Sequence, residues 1–238
     1  MEAKLLKKLD TWDKKVISKY NGFGGKPFTI FLRVVSYLGR ETLWLLLMLY
    51  FLFIYYDSFL FSNISSVFLI GVLLIAPMKK AINRDRPFEK LKNIEILEKQ
   101  PSSRSFPSWH SYNVASQGLL FSLFFNSTPI MFLVVIIVVV VSFSRIQLGV
   151  HYPTDVICGV FVGILGFLFA RIVVAPLINN LLIFFEQFNV GNIYKQVINP
   201  LLIENVFYMV LVVVLLSMII YLANYKWVKK RINRSSED

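Results

Sequence analysis

"PIMFLVVIIVVVVSFSRIQLGVHYPTD", Pro129–Asp155, is the stretch on which the fold turns. Its first part, Pro129–Ser144, is an apolar run dominated by valine and isoleucine. In water, β-branched residues at this density favour a strand. In lipid, every backbone N–H and C=O must be satisfied within the segment, so the same run is expected to be a helix. The second part, "SRIQLGVHYPTD", sets an arginine, a histidine and an aspartate between this run and another apolar one. Ionisable groups at membrane depth cost several kcal/mol at least and are kept where they do something.

Composition supports the lipid reading. Of 238 residues, 56% are hydrophobic, and the mean hydropathy is +0.63. Polar material is too scarce to cover a soluble domain of this length. Several stretches approach the roughly 18 apolar residues of a spanning helix. The expected fold is an all-α, polytopic membrane helical bundle of about six transmembrane helices. Beyond the run above, the expected spans are Glu41–Tyr56, Ser66–Ile82, Ser108–Phe125, about Asp155–Ala175, and Leu201–Asn224. "NNLLIFFEQFNVGNIYKQVINP", residues 179–200, reads as a surface segment between the last two, and "YKWVKKRINRSSED" as a basic tail. Residues 28–40, apolar but short and interrupted by Arg33, read as interfacial.

The N-terminus is different. Leu5, Leu9, Trp12 and Val16 fall at helical spacing with lysines on the other face, the pattern of an amphipathic helix lying on a membrane surface. Residues 1–27 hold seven lysines and no apolar core segment, so a cleavable signal peptide is not expected. The organisation is therefore 1–27 as an interfacial helix, 28–225 as one membrane-embedded domain with an extra C-terminal span, and 226–238 as a tail. The net charge of +11 points to anionic lipids or anionic substrates, and no nucleic-acid module is recognisable. The single cysteine, Cys158, excludes an internal disulfide.

The intramembrane charges gather at three places: Lys79–Arg86, Ser108–His110 and Ser144–Asp155. By the span count these are the end of the second span, the start of the third and the link from fourth to fifth, all at one membrane face. Both histidines of the chain are among them. Such convergence signals a functional site. Lys79, Arg86 and Arg145 are fixed cations suited to phosphate oxygens. "FPSWH" opens a helix, whose first N–H groups face any anion before them. His151 and Asp155 are i and i+4, so the carboxylate can hold Nδ1–H and leave Nε2 as an oriented nucleophile or base. His110 can protonate a leaving oxygen. Basic residues at helix ends, such as Lys80 and Arg84, more often mark the membrane boundary. A His-x-x-x-Asp pair also suits metal ligation, but three neighbouring cations would repel a metal.

These residues resemble a known family. "KKAINRDRP" fits Lys-x6-Arg-Pro at Lys79, Arg86 and Pro87. "PSWH" resembles Pro-Ser-Gly-His at Pro107–His110, and "SRIQLGVHYPTD" fits Ser-Arg-x5-His-x3-Asp. They are the three signatures, in order, of the type 2 phosphatidic acid phosphatase superfamily. The resemblance runs from about Ser65 to Ala175. It implies that Lys79, Arg86 and Arg145, with Ser108 and the N–H of Trp109, hold the phosphoryl group. His151 would form a phosphohistidine, Asp155 would orient it, and His110 would protonate the leaving group. No metal and no cofactor is implied. Trp109 departs from the family glycine, which puts the local backbone torsion in question; it reads as a substrate-shape residue at the lipid entrance.

The expected activity is hydrolysis of a lipid phosphomonoester or pyrophosphate: phosphatidic acid, phosphatidylglycerophosphate, polyprenyl pyrophosphate or a lipid A phosphate. A headgroup phosphotransferase and a non-enzymatic anion transporter are the alternatives. Lipid phosphate and membrane lipids are the expected partners, in the plasma membrane of a prokaryote; nothing bears on oligomeric state. Sidedness follows from charge. Lysines and arginines outside the motifs gather with the N-terminus and tail on the active-site face, while "YDSFLFSN" and "FFNSTP" opposite carry none. The positive-inside rule then puts the site in the cytosol, although family members commonly present it outside.

Overall fold

The computed structural model describes residues 2–188 and 197–235, with side chains for 4–188 and 197–225. The elements are helices: α1 Glu2–Tyr20, α2 Gly25–Val35, α3 Glu41–Leu49, α4 Ser58–Ile82, the short α5 Pro87–Lys90, α6 Trp109–Phe125, α7 Thr128–Gln147, α8 Pro153–Phe169, α9 Ala175–Gln187, the short α10 Leu201–Glu204 and α11 Val206–Ser235. Among the described residues there is no strand, only an isolated bridge between Tyr55 and Ile198.

The β-branched run is α7, as lipid demands. Among the described residues, four helical stretches are long and apolar enough to cross a membrane, Ser58–Lys90, Thr128–Gln147, Pro153–Gln187 and Val206–Tyr225, and Gly25–Gly39 with Glu41–Ile54 makes a fifth if the pair counts as one. The expected count of about six is thus not reached by length and hydropathy. Two boundaries also differ. The second span begins at Ser58, which absorbs most of "YDSFLFSN" into helix. The expected surface segment at 179–200 is helical as far as Gln187; its residues 189–196 lie outside the described ones.

The chain divides into two compact units, residues 1–40 with 63–177, and residues 41–62 with 178–238. In the first unit α6 is central and packs on α7 and α8. It buries polar side chains, among them Ser111, Asn113, Ser116 and Gln117. Both amides donate to backbone, Asn113 to Gly39 O at 3.1 Å and Gln117 to Ile64 O at 3.1 Å, while their side-chain oxygens are buried without a partner. Tyr112 donates to Val67 O at 2.8 Å. Small residues let α8 close on α6. A Cβ at Gly159 would stand 2.5 Å from Ser108 O, and one at Gly163 2.8 Å from Tyr112 O. The outward residues of α7, such as Phe132, Val135, Ile136 and Val139, are exposed, as a lipid-facing surface must be.

Helix α1 leaves its apolar stripe of Leu5, Leu9 and Trp12 exposed, which suits a membrane surface. It also does something the stripe did not announce. Asp13 and Ile17 are buried, and the helix packs on α7 and α8.

In the second unit α11 packs on α3. Tyr208 donates to Phe53 O at 2.6 Å and Asn199 N to Ile54 O at 2.7 Å. The Tyr56 hydroxyl donates to Glu186 at 2.6 Å. The region 226–235, read as tail, continues α11 in its backbone.

Candidate active site

Each motif sits where a helix of the first unit ends or begins. Helix α4 ends at Asn83, whose φ of 49° is a left-handed stop, and the chain then turns through Arg84 and Arg86. Ser108 caps α6, its hydroxyl accepting from Ser111 N at 3.4 Å, and its own N–H goes to Asp155 O at 2.9 Å. Gly149, φ 78°, turns the chain out of α7, and a Cβ there would stand 2.3 Å from Glu95 O. That turn lets the N–H groups of Val150 and His151 both reach Arg145 O at 3.2 Å. Tyr152 caps α8, and its N–H is held by Asp155 at 2.9 Å.

These turns bring the three motifs together. His151 is buried, with Nε2 3.3 Å from an Arg86 guanidinium nitrogen. Arg86 is fixed by Ser103 O at 2.8 Å and Val150 O at 2.7 Å. Lys79 donates to Arg104 O at 2.6 Å and lies within electrostatic reach of Arg86, Arg145 and Asp155. His110, buried, feels the charges of Arg145, His151, Arg40 and Arg86, and its Nε2 has no hydrogen-bond partner. Burial first, and then Arg86, Lys79 and Arg145, hold His151 well below the ordinary histidine range. The imidazole is therefore neutral near pH 7, the state a nitrogen nucleophile requires.

Three details differ from the expected arrangement. Asp155 does not hydrogen-bond His151 here. Its Oδ2 is 3.6 Å from Nδ1, beyond hydrogen-bond distance. That oxygen accepts instead from Ser105 Oγ at 2.5 Å and Tyr152 N, while Oδ1 accepts from Arg84 at 2.7 Å. Arg84 is accordingly not a boundary charge: it also donates to Asp13 and Thr154, each at 2.7 Å. Arg145, finally, is not a bare cation. Its two terminal nitrogens fork onto the buried carboxylate of Glu98, and one also donates to Ser36 Oγ at 2.6 Å. Its Nε has no partner.

Trp109 begins α6 with its ring 5.8 Å from Phe68 edge-on and 5.8 Å from Tyr112 in a stack. Among the described residues, the non-glycine positions with positive φ are Asn83 and Asn126. Tryptophan at this place therefore needs no glycine torsion. Sequence reasoning missed Asp13, Glu98 and Ser105. Asp13 is one of three acids in a lysine-rich helix, Glu98 lies in a loop far from any motif, and Ser105, two residues before Pro107, carries no charge to single it out.

Bacitracin transport permease protein BcrC of Bacillus licheniformis is 36% identical over 102 residues, 43% of this chain and 49% of that protein. Undecaprenyl-diphosphatase of Sulfolobus acidocaldarius is 34% identical over 96 residues, 40% of this chain and 46% of that one. The matched part thus spans about half the length of these relatives. In fold, the chain resembles the crystal structure of Aquifex aeolicus LpxE, with a TM-score of 0.58 and 24% identity over 66% of this chain and 93% of that one. The sequence pattern of the PAP2 superfamily matches residues 55–178, just over half of the chain, and takes in all three charged motifs. With those motifs at the helix ends around His151, the chain belongs to the PAP2 superfamily.

Proposed function

We propose that this protein is a membrane phosphatase that hydrolyses a lipid-linked phosphomonoester or diphosphate through a phosphohistidine at His151. The observation that carries the reading is the Arg86 guanidinium 3.3 Å from Nε2 of a buried histidine. A nucleophile and an anion-binding cation at that separation can share one phosphoryl group.

In the first step the Nε2 lone pair of His151 bonds to phosphorus and the bond to the leaving oxygen breaks. His110, which takes up a proton when the phosphate anion enters beside it, gives that proton to the leaving oxygen. Lys79, Arg86 and the unpartnered Nε of Arg145 hold the three remaining oxygens, with Ser108 and the Trp109 N–H at the mouth of α6. The charge growing on His151 is balanced by Asp155. Hydrogen bonds in resting enzymes are often long, and the 3.6 Å gap to Nδ1 closes with a small ring rotation. Water then attacks phosphorus, His110 takes its proton, the P–N bond breaks and inorganic phosphate leaves. The Trp109 ring shapes the lipid entrance.

The exposed apolar surface of α7 and α8 favours a lipid substrate, and the name of the Sulfolobus relative favours a polyprenyl diphosphate among lipids. The permease name of the Bacillus relative speaks for transport. A conduction path has no use, however, for an oriented histidine between an arginine and a carboxylate. The lysines of α1, which packs against α8 beside the site, support a cytosolic face in a prokaryotic plasma membrane.

Purified protein tested on undecaprenyl diphosphate, phosphatidic acid and phosphatidylglycerophosphate should release phosphate, with vanadate competing and chelator without effect. A chelator loss restored by added metal, or no release from any lipid, overturns the reading. For sidedness, Cys158→Ser with Asn93→Cys should resist an impermeant thiol reagent in intact cells; labelling from outside reverses the assignment.

A further inference from the structure

The N-terminal helix lies outside the residues that match the family, yet it reaches the catalytic aspartate. Asp13 is 1% exposed on a helix whose neighbouring Trp12, Lys14 and Lys15 are exposed. Its Oδ1 accepts from Thr154 N at 2.9 Å, at the first turn of α8. Its Oδ2 accepts from Thr154 Oγ1 at 2.5 Å and Arg84 at 2.7 Å. The other terminal nitrogen of Arg84 donates to Asp155 Oδ1 at 2.7 Å. The guanidinium lies over the Tyr152 ring at 4.1 Å. One turn along α1, Ile17 packs with Tyr152 and Ile94.

An arginine between two carboxylates is held at both ends of its planar fork. Without the Asp13 charge, Arg84 would turn fully on Asp155. Asp155 would then be a poorer acceptor for His151 Nδ1, and the first turn of α8 would lose its external cap. Helix α8 could form without α1, because Asp155 and Tyr152 already make a local capping box. The addition of a buried carboxylate from 141 residues away is explained by what it does to Arg84 and Asp155.

We propose that Asp13 is a positioning residue of the reaction, acting through Arg84 and Thr154 on Asp155, so that the N-terminal helix completes the active site as well as lying on the membrane. The inference rests on the phosphatase reading above. Asp13 does not touch the phosphate cluster, so the effect belongs in kcat and leaves KM alone.

The test is steady-state phosphate release by the full-length protein. Asp13→Asn should lower kcat by about 10- to 100-fold, the scale of a misplacement near 1 Å. KM and the inhibition constant of vanadate should stay within about twofold, because the phosphate-binding cations are untouched. Ile17→Val loosens the same helix without touching the polar chain and should keep wild-type kcat. An unchanged kcat in Asp13→Asn overturns the proposal. So does an equal fall in Ile17→Val, which would make α1 a mere structural support. If Asp13→Asn is not recovered folded, Arg84→Lys takes its place. It keeps the charge but cannot bridge two carboxylates as a fork, and wild-type kcat there overturns the proposal equally. No release from the wild type brings down the phosphatase reading and this proposal with it; release from wild type and variant alike brings down only the latter.

Discussion

Helices α6 and α11 are both membrane-length or nearly so, and they are built on opposite plans. Helix α6 buries Ser111, Asn113, Ser116 and Gln117, is pressed by glycines of α8 and carries His110. Helix α11 exposes Phe207, Val210, Val213, Val214 and Leu222. In water the polar helix would be the outer one. Here lipid is the outer solvent, so side chains that can hydrogen-bond are worth most inside, where backbone carbonyls of other helices receive them. Chemistry follows the polar helix because ionisable groups are tolerated only where such partners exist.

The contrast can be broken most severely at its centre. His151→Ala should abolish turnover while leaving the detergent-solubilised protein folded, and Asp155→Asn should cost on the order of 10²-fold in kcat or more. Substantial phosphate release from His151→Ala would mean that the polar interior serves structure alone. Next is the buried pair behind the site. Glu98→Gln leaves Arg145 without its counter-charge and should destabilise the fold by about 3–5 kcal/mol. Saturating vanadate should return more of the melting temperature in the variant than in wild type, since an oxyanion can take the place of the carboxylate. Equal gains in the two would show that Arg145 does not face the phosphate.

Packing of the polar helix comes third. Gly159→Val places side-chain atoms against Ser108 O, where even a Cβ has 2.5 Å. A loss in kcat of about tenfold or more should follow from displacement of the start of α6. The pH response is smaller. Because His151 is held well below the ordinary histidine value near 6.5, its acid limb in kcat/KM should fall below pH 6.5. The same shift means that the unfolded chain takes up a proton below about pH 6.5 that the folded one refuses. Stability is therefore full above that pH and declines as pH falls toward the folded value. A limb at or above 6.5 would contradict the buried, cation-flanked imidazole. The smallest effect belongs to α11: Val213→Ala, on its exposed face, should change stability by less than about 0.5 kcal/mol and leave kcat unaltered. A large effect would mean that this face is covered.

Much of this was legible before any coordinate. The apolar run of α7 declared its medium, and the medium declared helix. Lys79, Arg86, His110, Arg145, His151 and Asp155 stood out because ionisable residues are rare in such a chain and fall at its helix ends. The helix count was less legible, since length and hydropathy do not say whether a bent or 17-residue helix such as α6 crosses. The role of Arg84 was hidden by its resemblance to an ordinary boundary charge.

By itself the sequence determined the membrane class, the helical content and the helix ends at which the charged residues gather, because these depend on local composition and on spacings within single segments. Only the tertiary structure decided who faces whom. Glu98 forks Arg145 across 47 residues, and Asp13 reaches Thr154 across 141. Arg84 draws Asp155 toward itself, and Nδ1 of His151 waits 3.6 Å from the carboxylate. A carboxylate in a loop or a surface helix carries no periodic mark of its partner. The pairing comes from the desolvation of both charges when the helices close, which forces each buried ion to find the other.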